Sequence, residues 1–288
     1  MIEFQRDDDV IVLTGDATRL PLPAHASHSA INNYLRCGKA YELGKLGVVE
    51  APAWWLLGGS AVHKATEWLD KDEWDDAPEM AFFQAFADEM EQALKREPDQ
   101  EKWRKAGYGA RAQGYEHWIE QGPRYVKQWA ERVQTWRWVE LDVSTTLPSG
   151  IKIRAYIDRV SNIGNLFEIV DLKTGSTRPD SDQQLGIYSV LLREYLGPNV
   201  LGSGPAVIQA YNYMFKDDEF YSMDVSNWNI HTLDKMAQEW YSGIESAIFL
   251  PNRGKQCGTC GVSAACFLQS GDTEVTRKYD QLNPNYEG

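Results

Sequence analysis

Two aspartates and one lysine have a spacing that suits metal-assisted chemistry on a phosphate. Asp158 closes the run IKIRAYIDRV, and Asp171 and Lys173 lie in the run LFEIVDLKT. Side chains alternate across a strand, so Asp171 and Lys173 should project from one face while Leu172 points into the opposite layer. Mg²⁺ and Mn²⁺ prefer carboxylate oxygens, and a nearby lysine can assist an attacking water or stabilise charge on phosphate. A D-x-K run is also common at an ordinary solvated strand edge.

Other polar residues lie before and after this trio. Gln184 and Tyr188 are four residues apart, so a helix would place them on one face. An amide together with a hydroxyl-bearing ring suits a DNA strand lying in a groove. The plainer interpretation is a buried tyrosine beside an incidental glutamine. His63 lies far upstream, and a lone histidine is more often structural than a metal ligand.

The elements that would position these residues form an α/β core. Alternating runs predict strands, and a longer apolar-periodic run predicts one helix among them. In chain order these are strands at 137–147, 151–160 and 166–174, a helix at 183–196, and strands at 206–215 and 219–225. Upstream, the pair Gly58-Gly59 predicts a turn, with Ser60 as the N-cap of the helix that carries His63. A second upstream helix, AINNYLRCGKAYELGKLG, is expected to break at Gly44 and Gly47.

Four cysteines form a second constellation. Cys37 stands alone near the N-terminus, and Cys257, Cys260 and Cys266 follow the pattern C-x-x-C-x₅-C. A secretory signal begins with basic residues and continues with apolar ones, whereas the first residues here are acidic, so we expect no secretory signal. Metal binding by the cysteines is therefore favoured over disulfides. Four thiolates suit zinc or an iron–sulfur cluster, and spacing alone does not separate the two. One distant cysteine with three local ones is less typical of zinc.

The order of these motifs resembles the RecB-like branch of the PD-(D/E)XK nucleases. The residues that carry the resemblance are Gly59-x-x-x-His63, Asp158, Asp171-x-Lys173 and Gln184-x-x-x-Tyr188. Asp171 stands where the family often has Glu, which the pattern permits. The resemblance implies a restriction-endonuclease-like mixed sheet flanked by helices. It also implies a catalytic Mg²⁺ or Mn²⁺ on His63, Asp158, Asp171 and the backbone carbonyl of Leu172. Lys173 would then act on the nucleophilic water, and Gln184 and Tyr188 would hold DNA.

The cysteine arrangement resembles that of the CRISPR-associated RecB-like exonucleases and the AddB nuclease domain. In those proteins one cysteine precedes the nuclease motifs and three follow, and together they hold a 4Fe-4S cluster. The resemblance covers residues 28–268 and implies a cluster on Cys37, Cys257, Cys260 and Cys266 that joins segments 28–50 and 251–268. The cluster would close a loop of more than 200 residues, so we expect it to be structural. We expect a single nuclease domain over 1–288 with a helical insertion at 75–136.

The expected activity is metal-dependent exonucleolytic hydrolysis of phosphodiester bonds in single-stranded DNA, in recombination, repair or CRISPR adaptation-type processing. The alternative is an iron–sulfur protein that binds DNA ends or a partner protein, with cleavage secondary. A third interpretation is an iron–sulfur or zinc protein whose acidic residues are ordinary. Cleavage polarity and oligomeric state stay open.

Composition bears on the partners. The net charge of −13 opposes phosphate binding, yet residues 95–137 hold ten basic and six acidic side chains and could roof a channel for DNA. The chain has no G-x-x-x-x-G-K-[ST] motif, so a helicase, or a recombination or CRISPR protein, is an expected partner for unwinding. No apolar run approaches the ~18 residues of a membrane span. We therefore expect a cytoplasmic protein with no membrane partner.

Overall fold

The computed structural model of the chain describes residues 3–7, 10–14, 20–46, 51–106, 113–132, 134–198 and 205–266. The chain divides into two units, one formed by Met1–Glu50 with Asp234–Gly288 and the other by Ala51–Leu233. The first unit holds the four cysteines, and the second holds the predicted site residues His63, Asp158, Asp171, Lys173, Gln184 and Tyr188. No helix in the described ranges is both long and apolar enough to cross a membrane.

The smaller unit begins with an antiparallel strand pair, β1 (Glu3–Asp7) and β2 (Val10–Thr14). Helices α1 (His28–Arg36) and α2 (Gly38–Lys45) follow. Cys37 separates them in an extended conformation, with φ −168° and ψ 106°. The expected break at Gly44 is wrong, because Gly44 lies inside α2 and the chain leaves the helix at the cysteine instead. Gly47 lies outside the described residues.

Three helices of the larger unit precede its sheet: α3 (Trp54–Asp70), α4 (Pro78–Arg96) and α5 (Tyr115–Ala130). Residues one helical turn apart on α5 are buried, as an amphipathic helix requires. The three helices share one hydrophobic core with Val170, Leu172, Tyr213 and Phe215 from the sheet region. Helices α4 and α5 fall within the segment predicted as a helical insertion.

The turn predicted at Gly58-Gly59 is wrong, and so is the N-cap role of Ser60, because α3 runs through all three residues. A Cβ atom on Gly58 would lie 1.9 Å from Trp118 Cδ2, and one on Gly59 would lie 3.1 Å from Thr174 Oγ1. These glycines are therefore needed for close approach of neighbouring elements. Gly122 plays the same part in α5, where a Cβ would lie 2.1 Å from Phe82 Cζ.

A five-stranded mixed sheet forms the rest of the larger unit, in the order β3-β4-β5-β6-β7. The strands are β3 (Trp138–Thr146), β4 (Lys152–Ile163), β5 (Leu166–Lys173), β6 (Val207–Met214) and β7 (Glu219–Met223). Helix α6 (Gln183–Leu196) connects β5 to β6, the one parallel pair; the other neighbours are antiparallel. Helix α7 (Ile230–Glu245) follows. The strand and helix order confirms the predicted mixed α/β core.

Candidate functional site

The site forms where β4 and β5 separate. Their pairing ends at Arg159 and Val170, so Asp158 and Asp171 come next on the two strands without being paired. Asp158 lies in the middle of β4, whereas the sequence placed it at a strand end. Its Oδ2 accepts a hydrogen bond from Leu172 N at 2.7 Å, so the carboxylate replaces the missing strand partner.

The same hydrogen bond fixes the direction of the Leu172 carbonyl. The N–H and C=O of one strand residue point toward the same neighbouring strand. Leu172 N faces Asp158, while the carbonyl of the next residue, Lys173, accepts from Phe215 N on the side of β6. The Leu172 carbonyl therefore points into the opening between β4 and β5. The Leu172 side chain is buried in the core shared with α3, α4 and α5, as strand alternation predicts.

Asp171 and Lys173 are tied to helix α6 through one glutamine. Gln184 Nε2 donates to Asp171 Oδ1 at 2.7 Å and to the Tyr188 hydroxyl at 2.9 Å, and its Oε1 accepts from Lys173 Nζ at 2.8 Å. Lys173 Nζ also lies 2.5 Å from Asp171 Oδ2. That oxygen is buried and accepts no hydrogen bond from the described residues, although the ion pair faces it. The four side chains expected from the sequence are thus brought together.

His63 reaches the same place from α3. Its Nδ1 lies 3.5 Å from Asp158 Oδ2. One ligand atom from each of His63, Glu140 and Asp158 lies within 4.8 Å of the others. Burial lowers the pKa of His63, which outweighs the opposing effects of Asp171 and Glu140. A neutral imidazole is the form that binds metals.

Glu140 is the site residue that the sequence did not reveal. It lies on β3 opposite Asp158, between the pairs Val139–Arg159 and Leu141–Ile157. Its φ of 53° places a non-glycine residue in the left-handed region within a strand. Such conformations cost about 1–3 kcal/mol and persist where surrounding structure imposes them, often at functional sites. In the sequence, Glu140 looks like any outward-facing polar residue of an alternating strand.

Crowded carboxylates dominate the electrostatics. Burial, and then the charge of Asp171, raise the pKa of Asp158 to about 7. Burial, and then the charge of Asp158, raise the pKa of Glu140. Both shifts mean that the carboxylates gain from a cation placed between them. The donors are oxygens and one imidazole nitrogen, and Asp171 Oδ2 is buried without a hydrogen bond, so the residues fit a hard divalent metal.

A buried arginine supports the site from the α3 side of the sheet. Arg159 is completely buried. Its guanidinium donates to Asp70 Oδ2 at 2.5 Å, Thr66 Oγ1 at 3.1 Å and Glu140 Oε1 at 3.3 Å. Residues Thr66 and Asp70 lie on α3 with His63, so Arg159 ties that helix to the strand that carries Asp158. In the sequence, nothing distinguishes Arg159 from an ordinary basic residue of a strand.

Many basic residues expected to roof a channel are paired with nearby acids. The ion pairs are Lys95–Glu91 at 2.8 Å, Lys102–Asp99 at 3.9 Å, Lys127–Glu79 at 3.0 Å, and Arg132–Asp218. These pairs offset part of the local positive charge. The roof stays a prediction.

The four cysteines lie in the smaller unit and none is in a disulfide. Asn252 N donates to Cys37 Sγ at 3.4 Å, and Cys260 and Cys266 pack against a small cluster that includes Leu43 of α2. Within the described residues, no three of the thiols gather within 4.8 Å of one another. The iron–sulfur cluster stays a prediction.

The site combines carboxylates, one imidazole and a lysine at the opening between two strands of a mixed sheet, a set of side chains that suits metal-dependent hydrolysis. The PD-(D/E)XK nuclease superfamily profile matches residues 25–267, and the chain belongs to that superfamily. Its members use divalent metals, and DNA is the substrate that a nuclease domain implies.

Two phage proteins are similar along nearly their whole length. The Gene 69 protein of Mycobacterium phage D29 is 27% identical over 275 residues, covering 86% of this chain and 98% of the relative. The Gene 69 protein of Mycobacterium phage L5 is 24% identical over 301 aligned positions, covering 88% and 99%. Neither name states an activity.

Proposed function

We propose that the protein is a RecB-like, divalent-metal-dependent exonuclease that hydrolyses phosphodiester bonds in single-stranded DNA. The observation that carries the proposal is the convergence of His63, Asp158, Asp171 and Lys173 where β4 and β5 separate. These residues come from helix α3 and from the β4–β5 hairpin, which lie far apart in the chain. A site that hydrolyses a phosphodiester needs such convergence, whereas an ordinary solvated strand edge does not bring these side chains together.

The proposed metal ligands are His63, Asp158, Asp171 and the Leu172 carbonyl, with Glu140 as an additional carboxylate. A bound divalent metal would polarise the scissile phosphate and acidify a water. The neutral imidazole of His63 is available for this, and a metal on the buried Asp171 Oδ2 would share that oxygen with the Lys173 ammonium 2.5 Å away.

Lys173 is proposed to orient the attacking water and to stabilise the charge that develops on the phosphate. Its ammonium is fixed by Asp171 and Gln184, at 2.5 Å and 2.8 Å, so it is aimed before DNA arrives. Gln184 is in turn held by Tyr188. We propose that these two α6 residues steady the DNA strand, with Gln184 linking strand position to the Asp171–Lys173 pair.

The cysteines are proposed to hold a 4Fe-4S cluster with a structural role. None of the four cysteines is in a disulfide and all four lie in one unit. Helix α2, which begins after Cys37, shares a hydrophobic cluster with Cys260 and Cys266. Binding to a helicase or to a recombination or CRISPR protein belongs to the same proposal, since the chain has no ATP-binding loop motif of its own.

The deciding experiment is a cleavage assay on end-labelled single- and double-stranded DNA with Mn²⁺, Mg²⁺ or EDTA, using protein purified without oxygen. Wild type should degrade single-stranded DNA only with metal, and Asp171→Ala should abolish the activity. Glu168→Ala is the matched control, because Glu168 lies on β5 outside the site and should leave cleavage unchanged.

The label's position in the products reports polarity. Cleavage that survives in Asp171→Ala would contradict the proposal. Wild type that binds DNA ends but leaves every substrate intact would favour the end-binding function instead.

A further inference from the structure

An exposed stripe leads away from the site along β4. Alternate residues of a strand share a face, so Tyr156, Arg154 and Lys152 lie on the same face as Asp158. The residues between them, at 153, 155 and 157, are buried, which confirms the alternation. With about 3.3 Å per residue, Tyr156 is about 7 Å from Asp158 along the strand, and Arg154 about 13 Å.

The tyrosine ring on this stripe is open to solvent and held in place. Tyr156 is 48% exposed. The Arg154 guanidinium lies 4.9 Å from the ring centroid, and two hydrogen bonds to Asp142, at 2.8 Å and 2.5 Å, fix that guanidinium. Asp142 on β3 is also the cross-strand partner of Tyr156 on β4. The cross-strand partner of Arg154 is the small residue Ser144. The ring therefore has a supported position and an uncovered surface.

The chemistry of the stripe matches single-stranded DNA. Aromatic rings stack on bases with little regard to sequence, and lysine and arginine contact the phosphates. Asp142 offsets the charge of Arg154, so the ring should supply most of the affinity and Lys152 the phosphate contact. A single exposed tyrosine is ordinary. What distinguishes Tyr156 is its place on the strand face next to a carboxylate of the cleavage site, with basic residues continuing the line.

We propose that Lys152, Arg154 and Tyr156 form the track for the single-stranded DNA that adjoins the scissile phosphate, with one base stacked on Tyr156. The inference rests on the proposed function and adds to it how the substrate strand is held. Duplex DNA fits less well, because its bases are already stacked on one another and leave no free face for the ring.

The test measures binding without cleavage. Each variant is made in the Asp171→Ala background, and its Kd for a fluorescein-labelled single-stranded 20-mer is measured by anisotropy. Tyr156→Ala should weaken binding at least about fivefold. Tyr156→Phe should bind like the parent, because the ring is retained. Tyr195→Ala is the matched control, since Tyr195 is 52% exposed on α6 and should leave Kd unchanged.

The kinetic readout separates substrate holding from chemistry. In the active protein, Tyr156→Ala should raise KM for the oligonucleotide and retain kcat. Lys152→Gln should flatten the salt dependence of Kd. Equal Kd for Tyr156→Ala and its parent overturns the inference. So does equal weakening by Tyr156→Ala and Tyr195→Ala, or equal weakening for duplex and single-stranded DNA. A wild type that never cleaves overturns the proposed nuclease; cleavage with an unaltered KM in Tyr156→Ala overturns only the track.

Discussion

Replacing Arg159 by methionine should destabilise the larger unit by about 3–5 kcal/mol, because it removes one partner of a buried ion pair. The Arg159 side chain is fully buried, and its contact with Asp70 at 2.5 Å involves a carboxylate whose side chain is only 14% exposed. The substitution leaves that carboxylate without its cation. It also removes the donors to Thr66 and to the backbone carbonyl of Asp158.

The stability lost in Arg159→Met should increase with pH. Burial raises the pKa of Asp70, and the charge of Arg159 works against that rise. Without the arginine the pKa of Asp70 rises further, so the folded state holds a proton that the unfolded state releases. Stability then falls as pH rises, because the folded state binds more protons. The deficit of Arg159→Met should therefore be larger at pH 8 than at pH 5.

Urea unfolding in EDTA, followed by tryptophan fluorescence at both pH values, measures the effect. Asp70→Asn in combination with Arg159→Met removes the buried carboxylate that the single substitution leaves without its cation. The double variant should therefore be more stable than the sum of the two single losses implies. A loss below about 1 kcal/mol, a deficit that is equal at pH 5 and pH 8, or no relief from Asp70→Asn would refute the reasoning.

Four further predictions follow from the site and the packing. Mn²⁺ affinity, measured by calorimetry, should fall by up to about tenfold per pH unit below about pH 7, because protons compete with the metal for Asp158. An affinity that does not change with pH would contradict this. Glu140→Gln should weaken Mn²⁺ binding while Glu168→Gln does not, and equal affinities would remove Glu140 from the ligand set. Gly58→Ala should lower stability by about 1–3 kcal/mol or more, because the new methyl would meet Trp118, whereas Gly44→Ala has open space and should stabilise α2 by up to about 1 kcal/mol; thermal unfolding distinguishes them. Alanine at any of the four cysteines should lower both iron content and solubility, and a soluble variant with unchanged iron would count against the cluster.

Local periodicity determined much of this protein without any tertiary information. Alternation located the strands of the sheet, and the apolar run at 183–196 gave α6 with both ends in place, closed by Gly197 at φ 76°. The spacing of Asp171 and Lys173 on one strand, and of Gln184 and Tyr188 on one helix, already put each pair on a shared face. Those relations depend only on the repeat of the element.

The tertiary structure decided what local rules do not describe. Gly58 and Gly59 look like a turn until Trp118 and Thr174 are brought against α3 from elsewhere in the chain. Glu140 becomes part of the site only through its position opposite Asp158 and its left-handed backbone, and Arg159 acquires its role only when Asp70 on α3 reaches it. In each case the deciding contact joins residues distant in sequence, and no spacing within one element contains that information.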